Sequence, residues 1–371
     1  MVKQLFILLC AALLALGSCA DGRPAVVPED VMQSIYEEVK TPYKYGLVMV
    51  PEGPDKKLDC PTVFRCRGRW YMTYIAYDGR GYETWLAQSD SLLDWTTLGR
   101  IMPFTPYGWD ANQKAGYLAL QDYTWGGSYA VQQHAGKHWM SYIGGSDKGY
   151  ETGQLAVGVA YTSDSLTAPH EWKRLPAPVL SPVDADVRWW ENRKHYKSTV
   201  IWDKEKLTGY PFVMFYNANG DTTGSSRLRW FERIGMAVSD NMTTWKRLGR
   251  EPVLAHSHGI TGDAVIQKIG DVFVMFYFGA FWEGHEREAF NSFACSYDLL
   301  HWTDWTGAFL ITPSEKYDNL YAHKSFVLKH NGVVYHFYNA VDEQQNRGIA
   351  VATSKDLGKS PLRFNSASPK P

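Results

Sequence analysis

One hairpin pattern recurs along the whole chain, and this recurrence limits the fold more than any other feature of the sequence. In its first copy, Asp59, Cys60 and Pro61 lead into an apolar strand that turns at Gly68 and returns as a second apolar strand. Alignment on the turn glycine places further copies at Val131 to Tyr142, Val265 to Tyr277 and Val327 to Tyr338, with a looser copy at Val200 to Tyr216. The period is roughly 55 to 75 residues, which indicates a repeat architecture.

Each hairpin is followed by a strand of small residues, a turn led by serine and an aromatic residue. The turn runs from Ser89 to Trp95 in the first copy and from Ser239 to Trp245 in the third. Repeating units of four short strands are the blades of a β-propeller. The sequence therefore predicts an all-β fold, a five-bladed β-propeller of four-stranded antiparallel blades with a short N-terminal helix and tether.

The first residues have the pattern of an export signal. Lys3 provides a basic start, and the apolar run from Leu5 to Leu16 is too short to span a bilayer. The run ends in Gly17 and Ser18 before Cys19, a sequence that resembles a bacterial lipobox. We therefore expect Cys19 to be lipidated, with ordinary signal cleavage and an incidental Cys19 as the alternative.

These signals predict three segments. Residues 1–18 would be the signal peptide, residues 19–45 a lipid tether with a short capping segment, and residues 46–371 the catalytic propeller. A short helix is expected within the capping segment, because acidic and apolar positions alternate suitably there. The protein would be exported to the periplasm or the cell surface and would touch the membrane only through its lipid anchor.

Composition narrows the partners. The formal net charge is −1 and no basic stripe is present, so nucleic acid is not an expected partner. Aromatic residues make up 15% of the chain, with 15 Trp, which suits flat ligands such as sugars. After loss of the leader, Cys60, Cys66 and Cys295 remain, and we expect buried free thiols, with a Cys60–Cys66 pair as the alternative. The oligomeric state is left open.

In a propeller the first strand of each blade lines the central channel, so residues just before that strand gather at one mouth. Counting four residues back from the first-strand valine gives Asp59, Gly127, Tyr196, Thr261 and His323. Counting two back gives Pro61, Tyr129, Ser198, Asp263 and Ser325. We therefore expect the ionisable members of these rings to face one another across a pocket.

Four residues are candidates for catalysis. Asp59 could activate water or attack the substrate directly, and Asp263 could supply the second carboxyl group that glycosidic cleavage needs. His323 could donate a proton or hold a cation, and aromatic neighbours could raise the pKa of Glu191 by desolvation. The structural alternatives are turn or strand-capping aspartates, a core histidine and a solvent-facing glutamate.

Long aromatic loops between the repeats supply candidates for substrate binding. Long loops in a compact fold are usually functional or disordered, and Trp-rich loops are rarely disordered. Lys197 and Lys324 each precede a serine in two of the repeats and could grip an acidic substituent or balance Asp59 and Asp263. The predicted substrate-binding residues are Asp122, Trp125, Trp190, Lys197, Trp282 and Lys324, and Trp109 is expected to join the aromatic ones at the pocket.

The segment from Asp59 to Val63 with its glycine-turn hairpin resembles the opening blade of the five-bladed glycoside hydrolases, the group that includes families 43, 32, 68, 117 and 130. His323-Lys324-Ser325 is similar to the last-blade His-x-Ser motif of family 43. The resemblance implies a glycoside hydrolase in which the early aspartate is base or nucleophile. It also implies a central cation, Ca²⁺, near His323 as an option, although no cofactor is required.

The expected function is therefore hydrolysis of an oligosaccharide or polysaccharide fragment in a funnel-shaped pocket, by carboxylate acid/base catalysis. Two alternatives remain, a non-catalytic surface glycan-binding lipoprotein and a glycoside phosphorylase of the family 130 type. A phosphorylase would need basic groups for phosphate, and only Arg193, Lys194 and Lys197 offer them. The sugar, the linkage and the stereochemical course are left open.

Overall fold

The computed structural model describes residues 25–53, 55–220 and 231–365. The predicted leader and Cys19 lie outside these residues. The described part starts with helix α1 (Glu29–Val39) and strand β1 (Tyr43–Met49), and the rest of it forms strands and the turns between them. Within the described residues no helix is long and apolar enough to cross a membrane.

The strands after β1 form successive groups of four, which we call units 1 to 5. Unit 1 contains β2 (Lys57–Cys66), β3 (Arg69–Tyr77), β4 (Tyr82–Ser89) and β5 (Thr96–Met102). Unit 2 contains β6 (Gln113–Leu118), β7 (His138–Gly145), β8 (Ala156–Thr162) and β9 (Lys173–Arg174). Unit 3 contains β10 (Lys194–Trp202), β11 (Phe212–Asn219), β12 (Glu232–Ser239) and β13 (Lys246–Leu248).

Unit 4 contains β14 (Ile260–Ile269), β15 (Val272–Trp282), β16 (His285–Ser296) and β17 (Thr303–Asp304). Unit 5 contains β18 (Tyr321–His330), β19 (Val333–Val341) and β20 (Arg347–Thr353), and β1 completes it by pairing antiparallel with β20. The N-terminal strand thus closes the ring at the last unit, and the propeller begins at Tyr43, inside the segment expected to be only a cap. The predicted all-β propeller fold is confirmed.

Within each unit the strands pair antiparallel, and side chains of neighbouring units pack face to face. Units 1 and 2 are also joined by a parallel bridge between Tyr82 and Gln113, and units 3 and 4 by one between Glu232 and Ile260. The core therefore lies mainly between sheets. One cluster, for example, interleaves Phe215 and Met236 of unit 3 with Met275 and Ala294 of unit 4.

The serine-led turn recurs with the same hydrogen bonds. Ser89 Oγ accepts a hydrogen bond from the Leu92 amide (2.9 Å), and Trp95 Nε1 donates to the Leu92 carbonyl oxygen (3.0 Å). Leu92 has a φ of 70°, so the side chains around it must hold a backbone conformation that is unfavourable for leucine. The equivalent sets are Ser239, Met242 and Trp245 in unit 3 and Ser296, Leu299 and Trp302 in unit 4.

Unit 2 departs from the predicted register. Its first strand is β6, and residues 119–137 form an excursion between β6 and β7. Tyr129, predicted at the pocket mouth, is instead buried where its hydroxyl accepts hydrogen bonds from the amides of Gly126 and Lys329. Tyr117 of β6 lines the pocket in its place. The prediction was wrong here because the hairpin pattern at Val131 belongs to the inserted segment.

The other four first strands share a bulge near their start. The pairing shifts by one residue between Asp59 and Thr62 in β2 and between His323 and Phe326 in β18. The same shift occurs between His195 and Ser198 in β10 and between Gly262 and Val265 in β14. Asp59 and His323 are equivalent, as predicted. Asp263 is equivalent to Cys60 and Lys324 rather than to Pro61.

Helix α1 lies at the end of the propeller where the first hairpins turn. Its apolar side packs against Val272, Val274 and Phe276 of unit 4. Glu38 Oε1 accepts hydrogen bonds from Trp125 Nε1 (2.7 Å) and Lys329 Nζ (2.5 Å). The helix therefore covers the end of the propeller opposite to the bulges.

Candidate active site

A cavity of about 280 Å³ lies at the bulged end of the channel. Small-molecule sites have volumes of about 300 to 1,000 Å³, so this cavity suits a short segment of a ligand. Its lining contains both apolar and charged groups, and the charged ones are Glu151, Lys197, Glu232, Asp263, Lys324 and Arg347. His323, Cys60 and Asn217 also line it, together with the aromatic residues Tyr117, Tyr150, Tyr196, Phe278, Phe281 and Tyr321.

Glu232 is the first residue of β12 and is 8% exposed. Its backbone amide donates to the Gly259 carbonyl oxygen (3.1 Å), and Asn217 Nδ2 donates to Glu232 Oε2 (2.7 Å). Burial and the negative charges of Glu151 and Asp263 raise the pKa of Glu232 to about 8. The carboxyl group is therefore protonated at neutral pH, which is the state that a general acid requires.

Glu151 lies in the loop between β7 and β8, across the cavity lining from Glu232. Tyr82 Oη donates to its Oε1 (3.1 Å), and Lys194 Nζ donates to its backbone carbonyl oxygen (2.5 Å). Its φ is 52°, so the loop holds this residue in a conformation that a non-glycine residue rarely adopts. Gln113 Nε2 holds the same loop by donating to the carbonyl oxygens of residues 147 and 149 (2.8 and 2.7 Å).

Asp59 lies beneath this lining and is 3% exposed. Its Oδ2 accepts hydrogen bonds from Arg347 Nη1 (2.6 Å) and Lys324 Nζ (3.2 Å), and its Oδ1 accepts one from the Cys60 amide (3.0 Å). Burial alone would raise the pKa of Asp59, but Lys324 and Arg347 outweigh it and hold that pKa well below its usual range. Both oxygens are thus engaged by the protein, an arrangement typical of a group that orients its neighbours.

Asp263 and Lys197 lie at the same wall. Burial raises the pKa of Asp263, although the charges of Lys324 and Lys197 oppose the shift. Cys60 Sγ lies 3.6 Å from Asp263 Oδ2 and 3.4 Å from Asp59 Oδ1. Among the described residues Lys197 Nζ has no hydrogen-bond partner, and it lies 5.3 Å from the Tyr117 ring centroid. The structure therefore brings Asp59, Asp263, His323, Lys197 and Lys324 together, as the register predicted.

His323 is buried, and its neighbours do not fit a cation site. Burial and the charges of Arg347 and Lys324 lower the pKa of His323 well below its usual value, so the imidazole is neutral. A cation beside this ring would face the same two positive side chains. Within the described residues no group of three His, Cys, Asp or Glu side chains could hold a metal ion.

Glu191 does not reach the cavity. It is fully buried, and it pairs with Arg247 Nε through Oε1 (2.8 Å) and accepts from Tyr216 Oη through Oε2 (2.7 Å). Burial would raise the pKa of Glu191, but His195 and Arg247 outweigh it and lower that pKa. The predicted catalytic role and raised pKa of Glu191 are therefore wrong, because the neighbouring tryptophans are accompanied by buried cations.

The predicted tryptophan platforms are also wrong, since none of the four tryptophans lines the cavity. Trp190 is 2% exposed and stacks on Tyr216 with ring centroids 5.9 Å apart, and Trp282 stacks on His256 at 3.5 Å. Trp125 contacts α1 at the opposite end, and Trp109 stacks on Tyr142. Asp122 likewise accepts hydrogen bonds from the amides of Thr124 and Ser128 in its own loop.

Sequence reasoning missed Glu232 and Glu151. It followed only the first strands, whereas the first residues of third strands form a second ring at the same end of the propeller. Pairing with the second strand makes Glu232 equivalent to Tyr82, Ala289 and Arg347. An acidic residue at the start of the small-residue strand in unit 3 was the available signal. Glu151 had no such signal, because a loop positions it.

No family model and no curated protein matches the chain. Two solved structures are similar over nearly its full length. One, whose name describes a complex of BT0996 and RGII, is 55% identical with a TM-score of 0.88, and the match covers 91% of this chain and 98% of that one. The other, named "Glycoside hydrolase", is 53% identical with a TM-score of 0.88, over 92% of this chain and 99% of that one.

A thermostable family-43 glycoside hydrolase is similar in fold, with 16% identity, a TM-score of 0.56 and coverage of 86% of this chain and 98% of that one. At that identity the likeness shows the propeller fold alone. The identity above 50% over nearly whole chains decides the class. The protein belongs to the glycoside hydrolases and is a glycosidase.

Proposed function

We propose that this glycosidase cleaves its substrate with Glu232 as the general acid and Glu151 as the second carboxylate. The observation that carries the proposal is the pairing of these two glutamates in one cavity, where burial and the charge of Glu151 keep Glu232 protonated. Two carboxyl groups in different protonation states are what glycosidic cleavage requires.

In the first step, the Glu232 carboxyl group donates its proton to the glycosidic oxygen as the bond from that oxygen to the anomeric carbon breaks. Glu151 acts on the anomeric carbon in one of two ways, either by attacking it or by taking a proton from the water that attacks it. If Glu151 attacks, water then releases the sugar and gives its proton to the Glu232 carboxylate. The sum of either route is hydrolysis, with one water consumed.

In this scheme Asp59 acts through other residues. It holds Lys324 and Arg347 against the cavity wall, and Arg347 Nη1 also donates to Tyr150 Oη (2.6 Å). The predicted role of Asp59 as base or nucleophile would need a free oxygen in the cavity, and both of its oxygens accept hydrogen bonds from the protein. We therefore propose that Asp59 positions the substrate-facing cations.

The ligand is proposed to be a glycan. The similar structure whose name records a complex with RGII supports this choice, and the cavity size suits a short, terminal segment of a glycan. RGII and its fragments are therefore the first substrates to test. Export with a lipid anchor at Cys19 stays part of the proposal, and gel-shift or mass analysis of the mature protein from a bacterial membrane fraction tests it.

The test of the acid and its partner uses leaving groups of different basicity. Glu232→Gln should lose about 10² to 10⁴ in kcat/KM on a natural glycan or an alkyl glycoside, because an alkoxide leaves poorly without a proton. The loss should be much smaller on a 2,4-dinitrophenyl glycoside of the same sugar, whose leaving group needs no proton. Glu151→Gln should lose activity on both. Equal losses for Glu232→Gln on both leaving groups would remove Glu232 as the acid.

Proton NMR of the first sugar anomer released then shows whether configuration is kept, which tells whether Glu151 attacks carbon or activates water. The same reactions run with and without inorganic phosphate separate hydrolysis from phosphorolysis. A protein that binds RGII fragments but cleaves no glycoside would overturn the proposed mechanism.

A further inference from the structure

Three non-glycine residues on the cavity wall have a backbone conformation that is unfavourable for them. Cys60, Asp263 and Lys324 have φ values of 48°, 57° and 63°, and all three occupy the same bulge position in their strands. Such conformations persist only where the surrounding structure enforces them, and they concentrate at functional sites. Here each bulge turns a side chain toward one cavity.

The three positions carry different chemistry. Lys324 has three hydrogens on Nζ, one of which reaches Asp59, so it keeps donors for a ligand. Asp263 has acceptor capacity beyond its 3.6 Å contact with Cys60 Sγ, and its amide donates to Asn217 Oδ1 (3.3 Å). Asn217 also donates to Glu232, so the Asp263 backbone and the Glu232 carboxyl group are fixed by one side chain.

We propose that Asp263 and Lys324 together bind two neighbouring hydroxyl groups of the sugar unit held beside Glu232. One hydroxyl donates to the Asp263 carboxylate and the other accepts from Lys324 Nζ. This subsite deepens the proposed function and rests on it. It also replaces the catalytic role predicted for Asp263 with a binding role.

The charges around the cavity select the class of sugar. Lys197, Lys324 and Arg347 are balanced by Asp59, Asp263 and Glu151, and Glu232 is protonated. A sugar carboxylate at this subsite would be repelled by Asp263, and a sugar ammonium by Lys324. A pair of hydroxyls offers one donor and one acceptor and matches both side chains. The subsite therefore takes a neutral sugar unit with two free adjacent hydroxyls.

Lys197 serves as a positioning residue for this pair. Its Nζ is buried and has no hydrogen-bond partner among the residues described, while its charge acts on Asp263. It keeps the Asp263 carboxylate ionised and able to accept from a hydroxyl. Replacement of Lys197 by Met should therefore weaken binding of the same hydroxyl that Asp263 binds.

The experiment combines variants with deoxy sugars. A panel of neutral 4-nitrophenyl pentosides and hexosides identifies the glycoside that the wild type hydrolyses fastest, and its monodeoxy analogues are then compared. Removal of the hydroxyl that donates to Asp263 should lower wild-type kcat/KM about 10- to 100-fold, since a hydrogen bond to a charged group is lost. In Asp263→Asn the same removal should cost less than about 3-fold. Asp90→Asn, a change at an exposed carboxylate, is the matched control and should keep the wild-type pattern.

The same sugars are also titrated into Glu232→Gln by calorimetry, which reads binding without turnover. Coupling between Asp263 and one hydroxyl in either measurement supports the subsite. An Asp263→Asn variant that shows the full wild-type sensitivity to every hydroxyl would overturn it while leaving the proposed hydrolysis intact. If the wild type neither hydrolyses nor binds any glycoside or RGII fragment, the proposed function and the subsite both fall.

Discussion

Arg347 Nη1 donates to Asp59 Oδ2 at 2.6 Å, and this bond joins the first strand of unit 1 to the third strand of unit 5. Lys324 completes the group from the first strand of unit 5, so one carboxylate balances two cations at the seam where the ring closes. The seam is therefore fixed electrostatically at the point where the cavity wall needs two oriented donors.

Asp59→Asn is expected to lower the free energy of unfolding by about 3 kcal/mol or more, because removing one member of a buried ion group leaves the others uncompensated. Urea titration at pH 7 measures the change. The exposed Asp90 pairs with Arg69, and Asp90→Asn should change stability by less than about 1 kcal/mol. The pKa of Asp59 lies below its unfolded value, so its contribution is present above about pH 4 and is lost as the pH falls through the folded pKa.

A result that contradicts this expectation is easy to recognise. If Asp59→Asn keeps wild-type stability and sugar binding but loses turnover, the carboxylate acts on the substrate and the original base or nucleophile interpretation is restored. Asp59→Asn combined with Lys324→Met separates the two cases further. Loss of both partners should recover part of the stability, because one buried charge is no longer left unpaired.

Glu191→Gln is expected to destabilise the fold without changing the reaction. Glu191 accepts from Arg247 and Tyr216 inside the protein, so the amide leaves a buried guanidinium with less compensation and should cost about 3 kcal/mol. Thermal unfolding and kcat/KM are measured on the same preparation. At a temperature where the variant is folded, kcat/KM should lie within about 2-fold of wild type, and a loss comparable to that of Glu232→Gln would place Glu191 in the chemistry after all.

Much of the propeller could be predicted because its signals are local and repeated. Glycine turns such as Gly68, alternating strands and the turn from Ser89 to Trp95 each specify a short segment, and repetition adds their weak signals. The register failed at unit 2, where the inserted segment 119–137 carries its own glycine turn. A pattern of apolar residues cannot tell such an insertion from a first strand.

The site was only partly predictable, because its two glutamates depend on relations between distant segments. Asp59, His323 and Lys324 were reachable by counting along first strands. The raised pKa of Glu232 depends on burial and on Glu151, which a separate loop brings near, and no spacing in the sequence encodes that meeting. The tryptophans misled because packing between sheets needs large flat side chains as much as a sugar site does.

The acid limb of catalysis should follow Glu232. Because a general acid must carry its proton, kcat/KM should fall as the pH rises through about 8. The profile is measured on an alkyl or natural glycoside between pH 5 and pH 10, over the range in which the protein stays folded. With a 2,4-dinitrophenyl glycoside the fall should be weaker. An alkaline limb of the same size on both substrates would mean that another group is titrating.

Glu232 should also make stability depend on pH, and the sign follows from its pKa. The folded pKa of about 8 lies above the unfolded value, so between about pH 4.5 and pH 8 the folded state binds more protons than the unfolded state. Stability contributed by this group therefore falls as the pH rises across that window. Above it the folded protein holds a buried carboxylate and the full penalty is reached.

Urea titrations at pH 5, 6, 7 and 8 compare the wild type with Glu232→Gln. Subtraction of the two curves removes the other titrating groups, and the difference should move in favour of the Gln variant by a few kcal/mol from pH 5 to pH 8. In Glu151→Gln the shift should be smaller, because one negative charge that raises the pKa of Glu232 is gone. A difference curve that is flat with pH would show that Glu232 is ionised in the folded protein throughout, and the acid would then have to be sought among the other carboxyl groups of the cavity, with Asp263 first.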